Sequence, residues 1–468
     1  MFEHEKCYLV GENPTYDNLA ELMFRVGDYD RNPNVLEELT KLINDILLNK
    51  DENCDILIQR THAALKNNGD HLTILNYTKV FAIQKRQLPE DHPDIGRTTL
   101  SYGSLLGLFV LIVAIVIPLL YGSTNCRHLA IRTLHTMLAL KHSLLLDEAR
   151  PTLSAKYRAF EDLLRMRSIE YDPLSDPINI IKTIRSTCSM CDVIPKPSQC
   201  QINKEVFEHD EHSIDTYWID YPMRKFQRNS DKLLLYLHGG GYLSGNINDY
   251  SGIECHLSYL FNVTILHVEY RLSPEHPLPA AVDDIVVLYC ALLRDNMSPS
   301  QMMIIGDSAG GGLSLLIVQA LLAHQLPVPR GVIVISPWTD LSTSGESFTR
   351  NDEIDLIFTC HDVKWIASQL LDPNKSQLSL NNPLLSPLFG SFQGFPPMYI
   401  TVGTAEILED DSRRVLKKAQ AVGVNVTFEE GLHLMHVYPI FFSYFPEARN
   451  TLDNINKWIQ TIFTEKHN

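Results

Sequence analysis

The chain has 468 residues, of which 45% are hydrophobic and 21% charged, and its formal net charge at pH 7 is −16. The composition is that of an ordinary globular protein, and the length allows two or three domains or one large domain with an appendage. The acidic balance argues against a nucleic-acid partner and disfavours docking on anionic membranes by charge alone, because both need a basic surface.

The first hundred residues are polar and have a helical pattern. Apolar residues recur at helical spacing from Val35 to Leu47, which predicts one amphipathic helix. The segment from Met1 to Gly11 contains acidic residues and no apolar core. We therefore expect no secretory signal there and, by default, a reducing intracellular location.

An apolar run occupies residues 105–121, interrupted only by Gly107 and Pro118. A helix that spans a bilayer needs about 20 apolar residues, with a lower limit of about 17, so this run lies at the limit. The flanking Arg97 and Arg127 indicate no orientation. Two interpretations stay open: a segment that inserts into or dips into a membrane, and a buried or lid-associated helix.

Helical patterns continue from Arg127 to Glu170 with a break at Pro151, and the stretch from Pro173 to Cys200 is typical of a linker or cap. We therefore predict a mainly helical N-terminal region over residues 1–200 and a second domain over residues 201–468.

Beyond about residue 213, short apolar strands alternate with helical patterns such as Ala281–Arg294 and Leu313–His324. The predicted strands are Ile214–Ile219, Leu233–Leu237, Val263–Val268, Met303–Ile305, Val332–Ile335, Met398–Val402 and Val424–Phe428. This alternation predicts the α/β class, with a mostly parallel sheet that is covered by helices on both faces. In such folds, site residues collect at the carboxyl ends of the strands.

The cysteines and the glycosylation-type tripeptides do not by themselves indicate disulfides, a metal site or glycosylation. The nine cysteines are scattered and odd in number, which does not indicate a disulfide framework. Cys188, Cys191 and Cys200 would supply three zinc ligands, but no fourth Cys or His is near enough, so we predict no metal site. The sequons at Asn262 and Asn425 fall in apparent buried strands and are expected to be accidental.

The most informative short segment is Gly306-Asp307-Ser308-Ala309-Gly310, which follows an apolar strand and precedes a helical pattern. G-x-S-x-G in a strand–turn–helix context predicts a nucleophile elbow, with Ser308 as the nucleophile. Only glycine fits the tightly approached flanks, and the start of the following helix favours a developing anion. Without that context the pattern could be a plain glycine turn.

A run of three glycines, Gly239 to Gly241, follows His238 at the end of a predicted strand. Taken alone, it could be a flexible turn. Paired with the elbow, it predicts an oxyanion loop, because backbone N–H groups must reach the tetrahedral oxygen without obstruction by side chains. The expected donors are the amides of Gly239, Gly240 and Ala309, and His238 is expected to anchor the loop.

These blocks resemble the hormone-sensitive-lipase-like (GDXG) family of esterases and lipases, which has the α/β-hydrolase fold. Two further blocks carry the resemblance, Tyr270–Pro277 with Pro279–Asp284 behind it, and Ser336–Leu341. Together they cover roughly residues 213–465. The resemblance implies serine-dependent hydrolysis of carboxylic esters through an acyl-enzyme, without a metal or organic cofactor.

The base and the acid each have two candidates. The order of the triad in this fold is Ser, acid, His. His436, followed by Val-Tyr, fits the family's His block better than His433. Glu406 stands where the family usually has its triad Asp, which is a departure that the fold tolerates, and Asp410 is the alternative.

Five other residues are expected to support the site rather than to react. Asp307 is predicted to be a structural hydrogen-bonding partner, and the resemblance implies that Tyr270, Arg271, Glu275 and Asp340 brace the loops around it.

The stretch of about residues 342–384, here called the insert, is predicted to form part of a lid over an acyl pocket. With the apolar run at 105–121, it points to a small acyl ester or a lipid-like substrate, and to membrane association. The alternative is a small-ligand-binding protein in which the triad no longer works; the state of Ser308 and His436 discriminates the two. Amide hydrolysis and the oligomeric state stay open.

Overall fold

The computed structural model describes residues 124–144, 150–166, 176–187, 193–209, 212–221, 232–371 and 378–465. The amphipathic helix predicted from Val35 and the apolar run at 105–121 lie outside these ranges. Within them, no helix combines the length and the apolar character needed to cross a membrane. The predicted boundary near residue 200 stays a prediction.

Three helices precede the sheet in the described part of the chain: α1 (Thr124–Leu144), α2 (Ala155–Arg165) and α3 (Pro177–Thr187). Helix α2 begins at Ser154, whose side chain accepts a hydrogen bond from the Tyr157 amide. Its buried Phe160 packs against the aromatic ring of Tyr444 at a centroid distance of 4.8 Å. Helix α3 lies inside the stretch of Pro173 to Cys200, for which the sequence indicated a linker or cap.

Eight strands of the described residues form one sheet in the order β1-β2-β4-β3-β5-β6-β7-β8. They are β1 (Gln201–His209), β2 (His212–Asp220), β3 (Leu233–Leu237), β4 (Thr264–Val268), β5 (Met302–Asp307), β6 (Gly331–Ile335), β7 (Met398–Gly403) and β8 (Val426–Gly431). Strand β2 pairs antiparallel with both β1 and β4. All the other neighbours in this order, from β4 through β3 and β5 to β8, pair parallel. The prediction of a mostly parallel sheet is confirmed.

Strand β1 was not predicted because it lies at the edge of the sheet and is polar. Charged residues such as Lys204 and Glu205 line it, and most of its side chains are at least partly exposed. Charged edge strands are a common way to prevent unwanted pairing. By contrast, β3 to β7 are buried along their whole length, as expected for continuous apolar runs inside a parallel sheet.

Helices follow the strands and pack against the sheet or against each other: α4 (Ile247–Phe261), α5 (Ala280–Arg294), α6 (Ala309–Ala323), α9 (Glu409–Ala421) and α10 (Pro446–Thr464). The insert lies between β6 and β7 and contains the short helices α7 (Ser347–Arg350) and α8 (Cys360–Ser368).

A disulfide joins Cys200, just before β1, to Cys255 in α4, and their Cα atoms are 5.9 Å apart. The odd number of cysteines did not indicate this bridge. The oxidised Cys200 sulfur is not a thiolate ligand, which removes it from the three-cysteine zinc set considered from the sequence. Cys188 and Cys191 lie outside the described residues.

Candidate active site

Ser308 occupies the turn between β5 and α6, with a positive φ of 52°. A Cβ atom added to Gly306 would lie 2.2 Å from the Gly310 carbonyl oxygen, and one added to Gly310 would lie 2.0 Å from the Leu237 carbonyl oxygen. Side chains at either flank would therefore force the elbow open. The close approach to Leu237 also places the start of α6 against the end of β3.

The side chains of Ser308, His436 and Glu406 form one chain of contacts. His436 Nε2 lies 3.0 Å from Ser308 Oγ, and His436 Nδ1 lies 3.3 Å from Glu406 Oε2. All three are nearly inaccessible to solvent, with exposures of 8%, 2% and 0% for Ser308, His436 and Glu406. This order of hydroxyl, imidazole and carboxylate is the geometry of a serine nucleophile with its base and orienting acid.

The acid and the base influence each other's pKa. Burial lowers the pKa of His436, but the facing Glu406 carboxylate, together with Asp355 and Asp307, outweighs burial, and the net pKa is raised. Burial raises the pKa of Glu406. Ser336, at the carboxyl end of β6, donates its hydroxyl to Glu406 Oε2 at 2.8 Å and accepts the Val437 amide at 3.0 Å. Ser336 thus links the acid to the backbone next to the base.

The two alternative residues lie elsewhere. Asp410 Oδ2 accepts the Ser347 amide at 2.8 Å, and Asp410 Oδ1 lies 3.3 Å from the Arg350 guanidinium. His433 is partly exposed, and its backbone N–H donates to Thr404. The structure brings His436 and Glu406, and not these two residues, to Ser308.

The three-glycine loop differs in one respect from what the sequence led us to expect. The Gly239 amide donates to Asp307 Oδ1 at 3.2 Å, so it is already engaged. The amides of Gly240 and Ala309 make no hydrogen bond to another described residue. Gly240 has a φ of +100°, and a Cβ there would lie 2.2 Å from the Ser244 carbonyl oxygen. Of the three predicted donors, the Gly239 amide therefore has a partner inside the fold, whereas the amides of Gly240 and Ala309 have none among the described residues.

Asp307 holds this loop in place from the residue next to the nucleophile. Its carboxylate accepts hydrogen bonds from the Tyr236 hydroxyl at 2.9 Å, the Tyr250 hydroxyl at 3.3 Å and the Gly239 amide. Burial raises the pKa of Asp307 to about 6. The predicted role of Asp307 as a hydrogen-bonding partner within the site agrees with these contacts.

The residues expected to brace the site make their contacts on neighbouring loops. The Tyr270 hydroxyl donates to the His238 carbonyl oxygen at 2.6 Å, and the two rings stack at 4.3 Å. Arg271 pairs with Asp284, Glu275 with Arg185, and Asp340 with Arg414.

Arg185 of α3 is a supporting residue that the sequence did not indicate. It donates to the Leu243 carbonyl oxygen at 2.7 Å, to the Ser273 carbonyl oxygen at 3.0 Å, and through two nitrogens to Glu275 at 2.8 Å each. One side chain thus ties α3 to the segment that follows the three glycines. A lone arginine in a predicted linker offered no signal of this role.

The insert holds the acid loop, defined here as residues 404–410, through two side chains four residues apart. Asn351 donates to the Glu406 carbonyl oxygen at 2.8 Å. Asp355 Oδ2 accepts the Ile407 amide at 2.8 Å. Both bonds hold the same peptide group, the one that joins Glu406 to Ile407 directly after the acid side chain.

The insert also covers the base and the glycine loop. The Phe358 ring meets the His436 ring edge-on at a centroid distance of 5.4 Å. A Cβ on Gly241 would lie 3.1 Å from the Ile366 side chain, so α8 lies against the loop. These contacts place apolar side chains of the insert against His436 and against the glycine loop.

One cluster of described residues offers metal-type ligands, with one atom from each of His238, His267 and Glu269 within 4.8 Å of the others. His267 Nδ1 lies 2.6 Å from Glu254 Oε1, and His267 Nε2 lies 3.6 Å from Glu269 Oε1. Burial lowers the pKa of His267, but the two carboxylates outweigh it and raise the pKa to about 9. An imidazolium between two carboxylates accounts for the cluster without a metal ion.

Comparisons with known proteins agree on one family. A profile of the α/β-hydrolase fold matches residues 234–440. An acetyl-hydrolase from Streptomyces hygroscopicus is 35% identical over 237 residues, which are 50% of this chain and 77% of that protein. An esterase from Acinetobacter venetianus is 32% identical over 51% of this chain and 78% of that protein.

Solved structures extend the similarity to the fold. An esterase/lipase from an uncultured bacterium is 30% identical with a TM-score of 0.59, covering 67% of this chain and all of that one. An esterase from the bacterial hormone-sensitive lipase family has a TM-score of 0.58 at 30% identity, over 67% and 99% of the two chains. The structure of EstE5, whose crystal was soaked with p-nitrophenyl butyrate, gives a TM-score of 0.59 at 30% identity, over 67% of this chain and 100% of that one. The chain belongs to the hormone-sensitive-lipase-like family of esterases with the α/β-hydrolase fold.

Proposed function

We propose that the chain, a carboxylic ester hydrolase, works by two-step acyl transfer with Ser308 as the nucleophile and His436 as the base. His436 takes the proton of the Ser308 hydroxyl as the oxygen attacks the ester carbonyl, and returns that proton to the departing alcohol. Water, activated by the same imidazole, then hydrolyses the acyl-enzyme. The observation that carries the proposal is the 3.0 Å contact between Ser308 Oγ and His436 Nε2 in a buried site.

Glu406 and the backbone amides supply the electrostatic part of the mechanism. The Glu406 carboxylate holds the ring so that Nε2 faces the hydroxyl, and it stabilises the imidazolium that forms. The oxyanion of the tetrahedral intermediate binds the amides of Gly240 and Ala309, at the positive end of α6.

The direct test is the Ser308→Ala variant with p-nitrophenyl butyrate as substrate. We expect turnover to fall to background, and a fluorophosphonate probe to label the wild-type protein at Ser308. Retained turnover in a folded variant would show that another residue is the nucleophile. The rival interpretation, a small-ligand-binding protein, requires a broken triad, and the contacts of Ser308, His436 and Glu406 disfavour it.

The relatives and the insert favour different classes of ester as the substrate. The acetyl-hydrolase relative favours a small acyl ester, whereas the apolar side chains of the insert, such as Phe358 and Ile366, and the run at 105–121 favour a lipid-like ester at a membrane. We propose the lipid-like ester. The test compares rates on acetate, butyrate and palmitate esters with and without vesicles, together with flotation of the full chain. A strict preference for acetate without vesicle binding would contradict it.

A further inference from the structure

Two tripeptides of the N-glycosylation type, Asn262-Val263-Thr264 and Asn425-Val426-Thr427, were expected to be buried in strands. The structure contradicts this. Asn262 is exposed and ends α4 in the left-handed conformation, with a φ of 53°, two residues before β4 begins. Asn425 is exposed in the turn before β8, because that strand starts at Val426. Both asparagines can therefore carry a large polar group without disturbing the core.

A purely structural role can explain why Asn and Thr stand in the first tripeptide, but not in the second. Asparagine is a common helix cap in the left-handed region, and the Thr264 hydroxyl donates to Asp220 at 2.8 Å. Asn425 and Thr427 are different, since both are exposed and neither side chain has a hydrogen bond to another described residue. Asn425 contributes to the fold through its backbone, whose carbonyl oxygen accepts a hydrogen bond from the Met398 amide.

The cysteine pair independently indicates the compartment in which the chain folds. Cys200 and Cys255 are both buried and are bonded to each other. Structural disulfides persist in oxidising compartments and are rare in reducing ones. The compartments in which eukaryotic chains form disulfides include the one in which Asn-X-Thr tripeptides are glycosylated.

We propose that Asn262 and Asn425 carry N-linked glycans, added in the oxidising compartment in which the Cys200–Cys255 disulfide forms. In the transfer, the side-chain amide nitrogen forms a bond to the anomeric carbon of an oligosaccharide carried on a lipid diphosphate. The bond from that carbon to the diphosphate breaks, the lipid diphosphate leaves, and the amide loses one proton. This assignment replaces the reducing location expected by default.

The experiment uses the full chain expressed in insect cells. Treatment with an N-glycosidase in heavy-oxygen water converts each glycosylated asparagine to a labelled aspartate, which peptide mass spectrometry locates. We expect label at Asn262 and Asn425, and its loss at Asn425 in the Thr427→Ala variant, which keeps the asparagine. Label at neither position would overturn the proposal, and label at only one would overturn it for the other.

A non-reducing peptide map of the same material tests the compartment. We expect the peptides of Cys200 and Cys255 to be linked. Two free thiols at these positions would refute the oxidising location. The labelling of Asn262 and Asn425 and the peptide map are both read on the wild-type chain, so their outcomes hold even if the Thr427→Ala variant fails to fold.

Discussion

The sharpest prediction concerns the acid that departs from the family pattern. Glu406→Gln removes the negative charge 3.3 Å from His436 Nδ1 and keeps the shape of the side chain. At an effective dielectric of about 20, two unit charges at 3.3 Å attract by about 5 kcal/mol, which is an upper bound because the amide dipole retains part of it. About 1.4 kcal/mol is tenfold in rate, so we expect kcat to fall by about 10³-fold, and by no more than about 5,000-fold.

The assay is hydrolysis of p-nitrophenyl butyrate, with kcat and KM measured separately across pH. KM should change little, because Glu406 is fully buried beside His436 and has no surface that a substrate could reach. The acid limb of the profile reports the ionisation of His436, whose pKa is raised by Glu406. Without the carboxylate that pKa falls, so the limb should move to lower pH.

Asp410→Asn is the matched control, since it makes the same carboxylate-to-amide change four residues away. Its contacts are to Ser347 and Arg350, so we expect kcat within about tenfold of wild type. If Glu406→Gln left kcat nearly unchanged and Asp410→Asn lowered it strongly, the assignment of Glu406 as the acid would be refuted.

Three further predictions concern the insert, α3 and the disulfide. Asp355→Asn weakens the hydrogen bond to the Ile407 amide by about 1.5–3 kcal/mol, and if the acid loop shifts with it, kcat should fall by about 10–100-fold. Glu353→Gln makes the same charge change at an exposed position nearby and should leave kcat unchanged. Equal effects of the two variants on kcat would refute a positional role for Asp355. Arg185→Ala removes hydrogen bonds to two carbonyls, so the free energy of unfolding measured in urea should fall by about 2 kcal/mol, and an unchanged value would show that α3 is held in another way. Replacing Cys200 and its partner by alanine opens a link across 55 residues and should lower the free energy of unfolding by up to about 4 kcal/mol; equal stability of the reduced wild-type protein and the oxidised one would contradict this.

The sequence determined the features that depend on local chemistry. The elbow at Ser308 was predicted because glycine is required wherever backbone approaches within about 2 Å of an added Cβ, as at Gly306 and Gly310. The inner strands were predicted because a strand buried on both faces must be a continuous apolar run. Edge strand β1 has no such requirement, and it was missed.

Only the tertiary structure decided which groups meet across long separations. The sequence favoured Glu406 by its place in the family pattern and kept Asp410 as the alternative, and the direction in which the acid loop leaves β7 brings Glu406 to His436. The Gly239 amide is taken by Asp307, 68 residues later, which spacing within the glycine run does not reveal. Such contacts depend on the packing of elements that are distant in the chain, and periodicity and motif spacing carry information only about neighbours.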